Sequence, residues 1–351
     1  MEPGWAARTK LGFRRRLPSL LALGLVVMTA KTAEAGTSSL DAANLSPVVQ
    51  VYGLPRITQG PDPAAETRLH LGVDWANHAV SDGSGRPFAR FDGETQRLAL
   101  TTTGPFSAQW GSWWALEAPW LAHNGGVLDG AIEAWHDALG LPQGDRADRR
   151  HNELRYRVVD ASGKEILKRT QAAAGPGDVA FSAGFPVRGM AGPWNSASAG
   201  LRIEVPTGDP DRLLGSGSWD VASWLASDGR LDASGAWGWH VAGGVLYMTD
   251  SDVLPDLHRN WAGFGRAGVN LSWLDTLSLT AQLDGHTPMY DSSLDPLGGA
   301  TIQLGLGAAW EPGAGYRAEA GFSEDLAVGT APDITLHLRL SRSYAGSRTI
   351  P

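Results

Sequence analysis

Alternation of apolar and polar residues, repeated in one segment after another, is the feature that most constrains this chain. Between 276 and 285, leucine and alanine occupy every second position, with polar residues between them, and the segments 299–310 and 332–344 follow the same rule. Successive side chains of a β-strand point to its opposite faces. The pattern therefore predicts strands that each have one apolar face and one polar face.

Applied to the whole chain, this rule predicts twelve strands. They span 67–77, 94–103, 107–121, 178–187, 199–206, 218–226, 236–248, 261–273, 276–285, 299–310, 315–323 and 332–344. An even number is what an antiparallel sheet needs if it is to close into a barrel with both termini at one end.

The connections between these strands fall into two length classes. Those after the even-numbered strands are short, whereas most of those after the odd-numbered strands are longer and more acidic, the longest being 122–177. Short periplasmic turns and long extracellular loops are typical of outer-membrane barrels. We therefore predict an all-β fold, a transmembrane antiparallel up-and-down β-barrel of about twelve strands over 67–344.

The spacing of two tryptophans on one predicted strand matches the thickness of a membrane. Trp261 and Trp273 are twelve residues apart and hence on one face of that strand. At ~3.3 Å per residue and a tilt of ~40°, they lie about 30 Å apart along the barrel axis. Aromatic girdles on both sides of an apolar band of ~25 Å have this spacing.

The N-terminal residues have the features of a secretory signal. Basic residues at 14–16 precede an apolar stretch from 20 to 30, and Ala33 and Ala35 provide small residues for signal peptidase. The apolar stretch is shorter than the ~20 residues that a spanning helix needs. We expect a cleaved signal peptide over 1–35, a periplasmic N-terminal segment over 36–66 and a C-terminal extension over 345–351.

Charge and composition exclude several functional classes. Without the six basic and two acidic residues of the predicted signal, the chain carries 23 basic and 35 acidic side chains, a net charge of −12. Nucleic acid as a partner requires clustered positive charge. The absence of cysteine excludes disulfides and thiolate chemistry. No phosphate-binding loop, dinucleotide fingerprint or nucleophile elbow is present, so we assign no catalytic residue, metal or cofactor.

Many charged residues and histidines lie on the polar face of the predicted strands, which we expect to line the barrel lumen. These are Arg68, His70, Asp74, Arg97, Glu117, Arg202, Glu204, Asp220, His240, Arg266, Asp284, Arg317, Glu319, His337 and Arg339. One interpretation is a paired network that fills and rigidifies the interior, because unpaired buried charge is costly. The other is a polar channel or binding site for a small solute.

The longest loop is predicted to contain a helix and a hairpin. Apolar residues recur at helical spacing between 128 and 139, Gly140 is a plausible stop, and 152–170 has the pattern of a hairpin. The polar face of the helix carries Asp129, Glu133, His136 and Asp137. Glu133 and His136 have metal-ligand spacing, but a di-metal bundle needs two such motifs, so we expect a solvated face. The apolar face is a candidate lid or plug over the barrel mouth.

Several stretches resemble an uncharacterised proteobacterial family of outer-membrane barrels, catalogued as a domain of unknown function. The resemblance covers about 40–344 and is most specific at 291–299 and 321–333. The other stretches that carry it are 44–47, 53–55, 91–95, 125–130, 135–137, 205–209 and 215–217. It implies a barrel in the outer membrane, without substrate or catalytic residues to transfer. The 205–217 element is also similar to one in barrels linked to aromatic-compound degradation, which implies uptake of small hydrophobic molecules.

These observations favour a passive channel or uptake pore for a small solute. Two alternatives remain open, namely an envelope-lipid-modifying barrel enzyme and a structural or surface-interaction barrel with a closed lumen. The expected partners are outer-membrane lipid and lipopolysaccharide, the barrel-assembly machinery and a small-molecule solute. The expected location is the outer membrane, with both termini in the periplasm.

Overall fold

The computed structural model describes residues 39–57, 66–107, 109–140, 150–187, 196–327 and 329–345, and only the backbone of 66, 135, 136, 139 and 345. The strands are β1 (Glu66–Asp82), β2 (Phe88–Ser107), β3 (Ser112–Asn124), β4 (Arg155–Val159), β5 (Glu165–Arg169), β6 (Ala173–Pro176), β7 (Val179–Pro186), β8 (Ser196–Val205), β9 (Asp220–Arg230), β10 (Trp237–Met248), β11 (Trp261–Leu274), β12 (Leu277–His286), β13 (Thr301–Gly313), β14 (Tyr316–Asp325) and β15 (Ile334–Ala345). The α-helices are α1 (Asp129–Leu139) and α2 (Asp295–Gly298). Within the described ranges, no helix has the length and hydropathy to cross a membrane.

Twelve of these strands close into one antiparallel barrel, which confirms the predicted fold. Hydrogen bonding runs from β1 through β2, β3 and β7, and then in chain order to β15. Pairing of β1 with β15 closes the ring, with Glu66 opposite Ala345 and Asn77 opposite Ile334. The start of β1 and the end of β15 therefore lie at one rim, together with the short connections. We call this end the short-turn rim and the opposite end the long-loop rim.

The loop between β3 and β7 extends the barrel wall at the long-loop rim. Strands β4 and β5 form the predicted hairpin. Strand β4 pairs with the end of β2 at the long-loop rim, with Phe88 opposite Val159. Strand β6 pairs with the end of β3, with Leu121 opposite Gly175. Helix α1 lies in the same loop and ends one residue before Gly140, as predicted.

The outer face of the barrel is apolar and bordered by aromatic residues. Trp261 is 62% exposed and Trp273 is 49% exposed, at opposite ends of β11, and Val269 between them is 40% exposed. Exposed aliphatic side chains on alternate strand positions are what a lipid-facing surface requires. This confirms the lipid-facing phase assigned from the sequence.

Residues 39–57 lie inside the barrel, and we call this segment the plug. We expected 36–66 to lie in the periplasm, and for 39–57 the structure shows that this expectation is wrong. Buried charges on the wall require partners, and the plug supplies them through Asp41 and Arg56. Strand alternation alone could not show where wall charges find these partners. The predictions for 1–35, 36–38, 58–65 and 346–351 fall outside the described residues.

The plug is a loop that returns to its starting point. The Ser39 hydroxyl donates a hydrogen bond to the carbonyl of Ile57 at 2.8 Å, so its two ends meet. Its tip is a turn in which the N–H groups of Val49 and Gln50 both donate to the Ser46 carbonyl at 2.9 Å. At the long-loop rim the tip packs into a buried apolar core that includes Val48, Val51, Tyr52, Phe91, Tyr156, Met248, Leu254, Met289 and Tyr290.

Candidate functional site: the plugged lumen

Arg266 on β11 holds both ends of the plug. Its Nη1 donates to the carbonyls of Leu40 at 3.0 Å and Ile57 at 2.6 Å, and its Nη2 donates to the carbonyl of Ala42 at 2.9 Å. Its Nε donates to Asp284 at 2.5 Å, which orients the guanidinium. A buried guanidinium has five N–H donors and no acceptor, so it suits a cluster of carbonyls. We call Arg266 the clamp.

A chain of alternating charges crosses the wall and includes the plug. Arg56 of the plug binds Asp74 at 2.7 Å, and Arg97 lies 3.6 Å from the same carboxylate. Glu117 then lies 2.8 Å from both Arg97 and Arg202. The chain ends with Arg202 and Glu204 at 2.9 Å. Each carboxylate except the last lies between cations, which offsets the cost of burial.

The backbone of the plug lies directly against the wall at Gly53. Its N–H donates to Asp220 at 2.8 Å, and the Ser218 hydroxyl donates to the other oxygen of that carboxylate at 2.6 Å. A Cβ on Gly53 would lie only 3.0 Å from the Cβ of Asp220 and 3.1 Å from that of Glu204. Only glycine therefore lets the plug backbone reach this carboxylate without displacing the wall.

The first residues of the plug contact the opposite side of the barrel, on β12 to β15. The Leu40 N–H donates to Gln282 at 3.0 Å, and Asp41 forms an ion pair with Arg339. The Asn44 amide donates to the Thr330 carbonyl at 3.1 Å and contacts His286 Nε2 at 3.0 Å. These contacts fix the register of the plug against the wall.

Glycines on β13 make room for the plug. A Cβ on Gly307 would lie 2.4 Å from Leu40 Cδ2, and one on Gly305 would lie 3.3 Å from Leu40 Cδ1. The wall is thus recessed where Leu40 packs. The recess indicates that wall and plug are shaped for each other.

All fifteen predicted lumen residues lie on the inner phase of their strands. Five of them contact the plug directly: Asp74, Asp220, Arg266, Glu319 and Arg339. Among the others, His337 contacts Asp74 on the wall at 2.8 Å and His70 contacts Ser341 at 2.7 Å. The sequence interpretation missed Gln282 and the plug itself. The motifs at 44–47 and 53–55 were the available signal, because they fit neither a strand nor a helix.

The polar face of α1 is tied to neighbouring loops. Asp129 accepts hydrogen bonds from the Asn77 amide at 3.0 Å and from the N–H of Asn152 at 2.8 Å, and Glu133 lies 2.8 Å from His151. Asp129 and Glu133 are partly exposed and bonded to neighbouring loops, and Asp137 is exposed. The side chain of His136 lies outside the described residues. Within the described ranges, no three His, Asp or Glu side chains form a group that could hold a metal ion.

Two carboxylates organise long loops that carry the family resemblance. Asp178 accepts the N–H groups of Gly208 at 2.6 Å and Ser216 at 2.9 Å, and burial raises the pKa of its carboxyl. Asp325 accepts the N–H groups of Ala327, Gly329, Thr330 and Ala331, between 2.9 and 3.0 Å. The resemblance in these loops therefore has a structural basis.

A family model described as "Protein of unknown function (DUF3187)" matches residues 17–344. The chain belongs to this family. The barrel is similar to the COG4313 outer membrane channel from Pseudomonas putida F1, with a TM-score of 0.51 and 15% identity over 84% of this chain and 98% of that chain. It is less similar to the NanC porin, with a TM-score of 0.42 and 8% identity over 79% of this chain and 98% of that one. Identities this low show the fold alone. A comparison with curated proteins returned no match.

Proposed function

We propose that this DUF3187 protein is a gated passive channel, an uptake pore for a small solute across the outer membrane. The observation that supports it best is the way in which the plug is held. Among the described residues, the backbone–backbone hydrogen bonds of the plug are all internal to it. The wall holds the plug through side chains, so withdrawal of the plug breaks no strand pairing.

The surface behind the plug is suited to a polar solute path. It carries both signs of charge in an alternating chain, together with serine, threonine and amide side chains. A permanently closed barrel can be filled with apolar side chains of its own wall. Here the wall is recessed by Gly305 and Gly307, and a separate segment fills the space.

The orientation follows from the two rims. The short-turn rim faces the periplasm in this proposal, and the long loops face lipopolysaccharide. The signal peptide 1–35 is removed, both chain termini are periplasmic, and the barrel-assembly machinery inserts the barrel. Because β1 starts at the short-turn rim, the plug remains tethered there and withdraws towards the periplasm.

The test is single-channel conductance in planar bilayers of residues 36–351 and of the same chain without 39–57. Heat-modifiable migration on a gel establishes that both barrels are folded. The proposal expects rare openings for the intact chain and a persistent conductance for the deletion. The control is Arg157→Ala, which removes a 2.7 Å ion pair with Glu165 in the outer hairpin and should leave conductance unchanged.

A structural barrel with a closed lumen is the second candidate. It is supported by the chain of ion pairs that continues from the wall into the plug at Arg56. It expects a folded deletion variant that is less stable and conducts no ions. That result would refute the channel proposal.

A further inference from the structure

One row of residues across the inner wall is built from aromatic rings and glycines. Directly paired positions on successive strands are Trp113, Gly184, Gly200, Trp224, Gly244, Phe264 and His286, from β3 to β12. All of these positions have the inner phase of their strands. We call this set the aromatic row.

The glycines of the row allow the rings to lie against the wall. A Cβ on Gly184 would lie 2.3 Å from the indole of Trp113, and one on Gly200 would lie 2.1 Å from that of Trp224. One on Gly244 would lie 2.7 Å from Cζ of Phe264. The absence of a Cβ at these glycines therefore leaves the space that the rings occupy on the inner wall.

The row connects the two rims. Trp113 is the second residue of β3 at the short-turn rim, and His286 is the last residue of β12 at the long-loop rim. At about 4.8 Å per strand and a tilt of about 40°, its six steps climb roughly 18 Å along the barrel axis. The plug covers the row at two points, where Ile57 packs with Trp224 and Ala242 and where Asn44 contacts His286.

A cavity remains open beside the row. Its volume is about 200 Å³, and its apolar lining includes Ile57, Trp113, Ala226 and Ala242. Its polar lining includes the hydroxyls of Ser198 and Ser227 together with Asp228, His240 and Arg266. The last three are already bound: Arg266 to plug carbonyls and Asp284, His240 to Asn270 and Gln282, and Asp228 to the Ser196 hydroxyl. An apolar cavity of ~150 Å³ is sufficient to bind benzene. The space therefore fits one flat ring, and the serine hydroxyls suit an uncharged polar substituent.

We propose that this cavity binds a flat apolar ring compound with one uncharged polar substituent, and that the aromatic row is the track along which it crosses the barrel. The inference rests on the proposed function, because it names the class of solute that the channel carries. An aromatic ring stacks on Trp113 with an offset or edge-to-face geometry, whereas a saturated ring of the same size cannot do so. The site therefore distinguishes flat rings from puckered rings.

The test is ¹⁹F NMR of residues 36–351 labelled with 5-fluorotryptophan and titrated with benzyl alcohol. The Trp113 and Trp114 resonances are identified by their loss in Trp113→Phe and Trp114→Phe. Trp114 is the matched control, since it follows Trp113 in β3 and has the opposite phase. The Trp113 resonance should shift saturably, while the Trp114 resonance should follow only the linear partitioning of the compound into detergent.

Two comparisons sharpen this test. Ala226→Phe fills the cavity and should weaken binding at least tenfold, whereas Ala267→Phe on the lipid face of β11 should not. Cyclohexylmethanol should bind about 2- to 10-fold more weakly than benzyl alcohol, the range expected for loss of one aromatic pair. A Trp113 resonance that follows Trp114, equal binding of the two alcohols, or unchanged binding in Ala226→Phe would each overturn the inference.

Failure of this inference is distinguishable from failure of the proposed function. If the plug deletion conducts but no saturable binding is seen, the channel proposal stands and the ring-binding site is refuted. If binding is saturable but the plug deletion does not conduct, the ring-binding site in the cavity stands and transport along the aromatic row is refuted.

Discussion

Removing the clamp should open the pore without removing the plug. Arg266→Ala eliminates three hydrogen bonds to plug carbonyls, at 3.0, 2.6 and 2.9 Å. Hydrogen bonds to charged groups contribute about 1.5–3 kcal/mol each and are not fully additive, so we take about 3 kcal/mol for the set. That changes the closed-to-open ratio by roughly 150-fold. On this scale, a pore that is open for about 0.1% of the time becomes open for about 13% of it.

The assay is open probability in planar bilayers, measured at one voltage and salt concentration for all variants. Arg266→Lys retains the charge but cannot reproduce the fork of donors, so its open probability should lie between those of wild type and Arg266→Ala. The unit conductance of Arg266→Ala should equal that of the chain without 39–57, because the same lumen is opened.

The reasoning is refuted if the plug deletion conducts but Arg266→Ala has the open probability of the wild type. In that case the clamp does not determine closure. An equal rise in Arg157→Ala would also refute it, because a general loss of stability would then explain the openings.

Three further predictions concern the plug and the loops. Gly307→Ala places a Cβ 2.4 Å from Leu40 and should raise open probability, whereas Gly265→Ala, whose nearest contact is 3.5 Å, should not; equal values would disprove the recess. Gly53→Ala places a Cβ 3.0 Å from that of Asp220 and should also raise open probability; a value equal to that of the wild type would contradict the close approach of plug and wall. Asp325→Ala leaves several loop N–H groups without their acceptor and should make 326–333 sensitive to limited proteolysis while conductance is unchanged; an equally resistant loop would show that other contacts hold it.

The barrel could be predicted from the sequence because its determinants are local. In each strand, apolar and polar residues alternate and so identify its two faces. In β12, for example, Leu277, Leu279 and Leu283 lie on the lipid side. Loop length then identified the two rims. The predicted boundaries differ mainly where β1, β2 and β3 continue beyond the membrane, since their extensions face other protein on both sides and lose the alternation.

The plug could not be predicted in the same way. Arg56 and Asp74 are eighteen residues apart, whereas Asp41 and Arg339 are separated by almost the whole chain, and no periodicity links such pairs. The inner phase identified Arg266 as a lumen residue, but its role depends on three carbonyls whose placement only the fold determines. The aromatic row depends on the register between seven strands, and the alternation within a single strand does not determine that register.

The contacts of the plug also imply an order of assembly. Its partners extend from Asp74 on the first strand to Arg339 on the last, so its binding site is complete only when β1 has met β15. The plug precedes every strand of the barrel in the chain and is thus the last element to find its place. Until then its apolar tip, with Val48, Val51 and Tyr52, has no partner. During folding this tip would have to be kept from aggregating as well as the strands, and the barrel would pass through an open, unplugged intermediate.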